Sequence, residues 1–79
     1  MYNLIKLGKF IRNQRELMHL SREQLAEICN ISDKCLSNIE LGMSNPKTTT
    51  LMSICYTLDI NTGKLTTFYI PEGDRTIEI

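Results

Sequence analysis

Apolar residues near the start of the chain recur at steps of three and four positions, the spacing that places side chains on one face of an α-helix. The positions with this spacing are Leu4, Leu7, Gly8, Ile11, Arg15 and Met18. Asn3 stands just before them and is a favoured N-cap residue. His19 follows them and tolerates the left-handed backbone conformation at which many helices end. The pattern therefore predicts an amphipathic helix over about residues 4–18.

Two short helices are predicted next, and each begins after a serine. Ser21 and Gln24 have the spacing of a capping box, in which the serine hydroxyl accepts from a backbone N–H and the glutamine reaches back to the serine N–H. This predicts a helix over about residues 22–29. Ser32 is the N-cap candidate of a further helix over about residues 33–41.

The connection between these two helices is about four residues long, from Cys29 to Ser32, which is typical of a helix-turn-helix unit. Ala26 is small enough for the helices to cross closely, and Asn30 accepts a positive φ. Ile31 is expected to fill the angle between the helices. The second helix of the unit would then turn a polar face outward, formed by Asp33, Lys34, Ser37 and Asn38.

Two more helices are predicted after Gly42, a typical C-terminal cap. Apolar spacing predicts a helix over about residues 48–58, through Leu51, Ile54, Cys55 and Leu58. Asn61 is the expected cap of a short final helix over about residues 62–68. The fold class that these elements indicate is all-α.

The sequence predicts one domain over residues 1–70 and a tail over residues 71–79. Turn-forming residues follow Pro71, and Thr76–Ile79 alternates polar and apolar positions as a β-strand does. A single terminal strand needs a partner strand, from this chain or from another. The alternative is a frayed chain end.

The helix-turn-helix positions resemble the Cro/C1-type (XRE) family of phage-repressor-like domains. The stretches that follow the family motif in order and spacing are Leu20–Ala26, Ile31–Ser32 and Leu36–Gly42, continued by Pro46, Leu51, Ile54, Leu58 and Asn61. The resemblance covers about residues 4–68. It implies a five-helix lambda-repressor-like domain that binds a near-palindromic DNA operator as a dimer.

The resemblance also implies roles for individual residues. The base-reading positions are Asp33, Lys34, Ser37 and Asn38. The positions that contact DNA phosphates are Arg22, Ser44 and Lys47. Arg15 and Glu40 match a structural ion pair between the first and third helices. Family members usually dimerise around the last helix, and with the tail strand added the expected contacts are Leu65, Phe68, Tyr69, Ile77 and Ile79.

Four positions depart from the family pattern. Arg22 and Asp33 each stand where glutamine is usual, and His19 and Asn30 stand where glycine is usual. A carboxylate is repelled by DNA phosphates, unless it accepts a hydrogen bond from the N4 amino group of cytosine. These departures bear on the operator sequence and not on the fold.

The charge distribution is compatible with DNA binding although the formal net charge is zero. Residues 1–70 carry eight Lys and Arg against six Asp and Glu, a balance of +2, and the tail carries one against three, a balance of −2. Three cysteines without CxxC spacing or a signal peptide indicate a reducing, cytoplasmic setting, and they are expected to act as small core residues: Cys29, Cys35 and Cys55. No apolar run approaches the roughly 20 residues of a membrane span. No cofactor and no metal site are predicted.

These features fit three classes of function to different degrees. The leading hypothesis is a sequence-specific DNA-binding transcriptional regulator, expected to be a repressor. The alternative is an antitoxin that neutralises a partner toxin and regulates its own operon, because antitoxins often use this fold and the tail here is acidic. An enzyme is disfavoured, because His19 is the single histidine, no nucleophile motif is present and so short a chain offers little room for a substrate pocket.

Overall fold

The computed structural model describes residues 3–68, and within that range it contains five helical segments and no strand. The segments are α1 (Leu4–Leu17), α2 (Arg22–Ile28), α3 (Asp33–Glu40), α4 (Thr48–Thr57) and a 3₁₀ helix (Thr62–Phe68). The prediction of an all-α, five-helix domain is confirmed. The expected tail strand with Ile77 and Ile79 lies outside the described residues, as does Tyr69.

Polar side chains cap the first three α-helices at the residues that the sequence predicts. The Asn3 side chain accepts from the third backbone N–H of α1 at 3.2 Å. Ser21 and Gln24 form both hydrogen bonds of the capping box, at 3.0 and 2.8 Å. The Ser32 hydroxyl accepts from the third N–H of α3 at 3.0 Å. These bonds satisfy N–H groups that the start of a helix leaves without a partner.

Each of the four α-helices is followed closely by one residue in the left-handed conformation. These residues are His19 (φ 58°), Asn30 (φ 58°), Gly42 (φ 75°) and Asp59 (φ 57°). The first three are the turn residues expected from sequence, whereas the positive φ of Asp59 was not foreseen. All four α-helices end one residue earlier than predicted, because the last predicted residue of each already serves as its C-cap: Met18, Cys29, Leu41 and Leu58.

The last helix differs from expectation in type, being a 3₁₀ helix and not an α-helix. Asn61 caps it as predicted, since its side chain accepts from the backbone N–H of Gly63 at 2.8 Å. The hydroxyls of Thr66 and Thr67 donate to the carbonyls three residues earlier, at 2.9 and 2.8 Å. Threonine side chains that bond to nearby carbonyls compete with α-helical pairing, which favours the tighter turn.

Apolar side chains from all five segments form one core. Its members are Leu7, Ile11, Leu25, Ala26, Cys29, Leu36, Ile39, Leu51, Ile54, Cys55, Leu58 and Leu65. Burial raises the pKa values of the Cys29 and Cys55 thiols, so both are protonated core side chains at neutral pH. Cys35 is partly buried against the core, while Met18 is exposed because it lies beyond the last turn of α1. Within the described range, no helix has both the length and the hydrophobicity needed to cross a membrane.

Candidate nucleic-acid interface

Helices α2 and α3 are held together by backbone hydrogen bonds in the short turn that joins them. The N–H of Ile31 donates to the carbonyl of Ala26 at 3.0 Å, and the N–H of Asn30 donates to the carbonyl of Glu27 at 3.1 Å. Ala26 is buried and Ile31 is partly buried against the core. The turn therefore fixes α3 relative to α2, which a recognition element needs in order to present its side chains reproducibly.

Helix α1 supports the other end of α3 through a very close approach at Gly8. A Cβ atom at Gly8 would lie 2.5 Å from the carbonyl oxygen of Glu40 and would also meet the carbonyl of Ile39. Glycine is therefore required for the backbone of α1 to pack directly against the C-terminal end of α3. This contact places Arg15 of α1 within reach of α3.

Arg15 and Glu40 form a buried ion pair across this contact. Arg15 Nε lies 2.7 Å from Glu40 Oε2, and Arg15 Nη2 lies 3.1 Å from Glu40 Oε1. Arg15 Nη1 also donates to the backbone carbonyl of Leu20 at 2.9 Å. The exposed fractions of the Arg15 and Glu40 side chains are 11% and 6%. Because almost no water reaches them, the two charges depend on each other.

A second pair, between Arg22 and Asp33, joins the first turns of α2 and α3 on the surface. Arg22 Nε donates to Asp33 Oδ1 at 2.9 Å, and Arg22 Nη2 donates to Asp33 Oδ2 at 3.2 Å. The hydrogen bond from Arg22 lowers the pKa of the Asp33 carboxyl, and the charge of Arg15 acts in the same direction. Asp33 is therefore ionised at neutral pH. The two residues that depart from the glutamines usual in the family are thus direct partners.

The other residues proposed to read bases lie on the same short helix. Lys34 is exposed, whereas Ser37 and Asn38 are partly buried. Of the residues proposed to contact phosphates, Lys47 is the exposed N-cap of α4 and Ser44 is partly buried in the loop before it. Lys34 and Lys47 take part in none of the salt bridges among residues 3–68, so their charges are available to an anionic ligand.

Arg12 is a candidate functional residue that the sequence analysis did not single out. It lines a hollow of about 150 Å³ together with Arg15, Arg22, Ser37, Glu40 and Leu41. Its side chain is 59% exposed and pairs with Glu16 one helical turn away, at 3.2 Å. The available signal was its position three residues before Arg15, which places both on neighbouring parts of α1.

Leu65 and Phe68, the described residues that were expected to form a dimer contact, pack against other residues of the same chain. Leu65 is 4% exposed and belongs to the core, so its expected role as a surface contact does not fit this conformation. The ring of Phe68 packs on Phe10 with a centroid distance of 5.1 Å. One group of exposed apolar side chains lies beside α4, where Ile28, Met52 and Tyr56 line a groove and Tyr56 is 91% exposed.

Two N-capped helices are joined by a short, hydrogen-bonded turn, and the second helix carries a polar face. These features define a helix-turn-helix protein, whose fold is of the DNA-binding type. The family model described as helix-turn-helix matches residues 11–65. The chain belongs to this family, and the resemblance to Cro/C1-type domains is confirmed.

Curated relatives include phage and bacterial proteins. The ImmF control region 10 kDa protein of Bacillus phage phi105 is 36% identical over 69 residues, which cover 85% of this chain and 77% of that protein. An uncharacterised HTH-type transcriptional regulator of Mycobacterium tuberculosis is 41% identical over 54 residues, 68% of this chain. The matched region makes up only 39% of the mycobacterial protein.

Solved structures with the same fold include two bacterial regulators. The restriction-modification controller protein C.AhdI from Aeromonas hydrophila has a TM-score of 0.74 and 27% identity, covering 78% of this chain and 94% of that one. The clp gene regulator ClgR from Corynebacterium glutamicum has a TM-score of 0.75 and 25% identity, covering 82% and 83% of the two chains.

Proposed function

We propose that this protein is a transcriptional regulator, acting as a repressor, that binds a near-palindromic operator with α3 in the major groove. The observation that carries the proposal is the polar face of α3, held by α1 and α2, on which Lys34 is exposed while Asp33, Ser37 and Asn38 are partly exposed. Lys34 and the exposed Lys47 at the start of α4 make no salt bridge within residues 3–68. The names of the relatives, which include transcriptional regulators and a phage control protein, support regulation as the purpose of DNA binding.

Each proposed contact follows from the chemistry of its side chain. Lys34 can donate to guanine and Asn38 can form a bidentate pair with adenine, while Ser37 is compatible with either. Arg22 begins α2 and Lys47 is the N-cap of α4, so their side chains lie beside helix starts, where backbone N–H groups also attract phosphate, and Ser44 lies in the loop before α4. Lysine and arginine supply the salt-dependent part of the affinity.

Dimerisation is part of the same proposal. One described chain offers one helix-turn-helix unit, and two recognition helices must stand about 34 Å apart to enter successive major grooves on one face of DNA. The exposed apolar residues Met52 and Tyr56 of α4 offer a surface to a second copy. The other expected dimer contacts, Tyr69, Ile77 and Ile79, lie outside the described residues. Leu65 lies in the core and Phe68 packs on Phe10 of α1, so this surface does not depend on either residue.

The test is selection of bound duplexes from a random DNA pool at low salt, using the full chain. We expect enrichment of a near-palindromic site, and sedimentation of the complex should give two chains per duplex. Placing that site across a promoter should lower expression of a reporter when the protein is present. Failure to enrich any sequence would overturn the DNA-binding proposal, and one chain per duplex would overturn the dimer.

The base-reading assignment has its own variants. Lys34→Ala and Asn38→Ala should each relax the preference at one position per half-site, by about 1–3 kcal/mol. Lys47→Ala should weaken binding to all sequences and reduce the salt slope by about one unit. Uniform weakening by Asn38→Ala would instead make Asn38 a phosphate contact.

A further inference from the structure

The Arg22–Asp33 pair leaves unused hydrogen-bonding capacity on both side chains. Arg22 donates to Asp33 through Nε and Nη2. A guanidinium carries five N–H groups, so three remain, including both on Nη1. Each carboxylate oxygen of Asp33 accepts one bond from Arg22 and retains a further lone pair. Because each side chain is 44% exposed, a ligand can reach these unused groups.

The location of the pair points to DNA as that ligand. Arg22 opens α2 and Asp33 opens α3, so the pair spans the starts of both helices of the helix-turn-helix unit. In this motif the first residues of the second helix contact base edges. Arg22 would stand beside the backbone while Asp33 reaches the groove.

An ionised carboxylate only accepts hydrogen bonds, which restricts the bases that Asp33 can contact. In the major groove, guanine and thymine present acceptors at the positions nearest the groove centre, and these repel a carboxylate. Adenine presents an amino donor, but its N7 acceptor lies beside it and would face the second carboxylate oxygen. Cytosine presents its N4 amino group without a neighbouring acceptor, so its edge suits Asp33 best.

The charge of Arg22 offsets the repulsion that DNA phosphates would exert on an acidic residue at this position. A lone carboxylate would be repelled by the phosphates on both sides of the groove. The paired guanidinium cancels that charge locally, and its three remaining N–H groups can donate to a phosphate oxygen in a strong, charge-assisted bond. The bidentate geometry also fixes the carboxylate in one orientation before DNA arrives, which reduces the entropy lost on binding.

We propose that Arg22 and Asp33 act as one recognition unit, in which Asp33 selects a cytosine at one position of each half-site while Arg22 binds the adjacent phosphate. Asp33 is then a specificity-determining residue, and Arg22 is both a phosphate contact and the residue that positions Asp33. The inference rests on the proposed function, because it assigns a base to a residue of that interface.

The experiment compares the duplexes selected from a random pool by the full-length protein and by its variants. The original protein should select a site with cytosine at one position per half-site. Replacing that base should weaken binding by at least about 5-fold, the lower end for one base contact. Asp33→Asn should abolish this preference at that position and leave the other positions unchanged. Asp59→Asn is the matched control, because it removes a carboxylate outside the helix-turn-helix unit at a residue with φ 57°, which asparagine tolerates.

Arg22→Lys separates positioning from charge. Lysine keeps the positive charge but cannot form the bidentate pair, so the cytosine preference should fall while the salt slope stays the same. Arg22→Gln should lower both the preference and the salt slope, the latter by about one unit. Lys64→Gln removes a positive charge outside the unit and should change neither. Far-UV circular dichroism checks that each variant is folded.

The outcomes distinguish this inference from the proposed function. If the original protein selects a site but Asp33→Asn selects the same base at every position, the pair does not read DNA and the inference is overturned. A preference that survives Arg22→Lys would overturn the positioning role of Arg22. If the original protein selects no site at all, the proposed function itself fails.

Discussion

The two ends of α3 carry similar ion pairs in different surroundings. At its start, Asp33 receives two hydrogen bonds from Arg22, at 2.9 and 3.2 Å. At its end, Glu40 receives two from Arg15, at 2.7 and 3.1 Å. The exposed fractions of the side chains separate the pairs: 44% for both members of the first, and 11% and 6% for the second.

This difference shows that burial, and not bond geometry, decides what an arginine–carboxylate pair contributes. Breaking a buried pair strands one charge where water cannot solvate it. Breaking an exposed pair returns both groups to water, so stability changes little. The buried pair therefore holds α3 against α1, while the exposed pair is accessible to a ligand.

The largest expected effect is the loss of stability when the buried pair is broken. Glu40→Ala strands the Arg15 guanidinium beside the core, and we expect it to lower the free energy of unfolding by about 3–5 kcal/mol. That is a large share of the stability of so small a domain. Urea denaturation followed by circular dichroism measures the change. Asp33→Ala is the matched variant at the other end of α3 and should barely move the midpoint.

A double variant tests whether the stranded charge is the cause. Arg15→Met combined with Glu40→Leu replaces both charges with apolar side chains of similar size, which is often neutral or stabilising. We expect it to recover most of the stability lost in Glu40→Ala. Equal shifts for Glu40→Ala and Asp33→Ala would contradict the comparison between the two ends.

The next effect concerns the close packing that keeps the buried pair in place. Gly8→Ala would introduce a Cβ 2.5 Å from the carbonyl oxygen of Glu40, so α1 and α3 must move apart. We expect a loss of about 1–3 kcal/mol in spite of the higher helix propensity of alanine. Gly63→Ala is the milder comparison, because the nearest atom there is the Asn61 side-chain oxygen at 3.2 Å, and a side chain can shift by a few tenths of an ångström where the backbone of α3 cannot. Thermal denaturation compares the two, and an unchanged melting temperature for Gly8→Ala would contradict the close approach.

Much of the fold could be predicted because its signals are local. Serine caps, left-handed turn residues and apolar spacing each act over a few residues, so Ser21, Ser32 and Asn30 were found from sequence. The type of the last helix differs from the prediction, and propensity alone does not show the local hydrogen bonds from the Thr66 and Thr67 hydroxyls that accompany the tighter turn.

The site was harder to predict than the fold, because it depends on contacts between distant residues. Arg22 and Asp33 were each identified as departures from the family pattern, but their pairing needs the angle between α2 and α3. Their opposite charges at two positions where the family uses glutamine were the signal available in the sequence. The burial of Leu65 likewise depends on how the last helix docks and not on its own spacing.

A smaller effect is expected on the binding of non-specific DNA when the negative charge of the exposed pair is removed. Asp33→Gln removes a negative charge at the DNA face, so binding to a scrambled duplex should become tighter, while its salt slope should stay the same because Arg22 already contacts a phosphate. Titrations at several salt concentrations measure both quantities, with Asp59→Asn as the control for a carboxylate outside α2 and α3. Weaker binding to scrambled DNA would contradict the placement of Asp33 beside the DNA.

The smallest expected effect is the pH dependence of the stability that the exposed pair contributes. The hydrogen bond from Arg22 lowers the pKa of Asp33 below its ordinary value of 3.8, and Arg15 acts in the same direction while partial desolvation opposes it. A carboxyl with a lowered pKa in the folded state stabilises the fold above its unfolded pKa, and that contribution is lost as pH falls through the folded pKa. The small stability difference between the original protein and Asp33→Asn should therefore be constant from about pH 5 to 8 and shrink only below about pH 4. Urea denaturation across this range measures it. A difference that vanished between about pH 5 and 7 would mean that the pKa of Asp33 is raised, and the pair with Arg22 would then not form in solution.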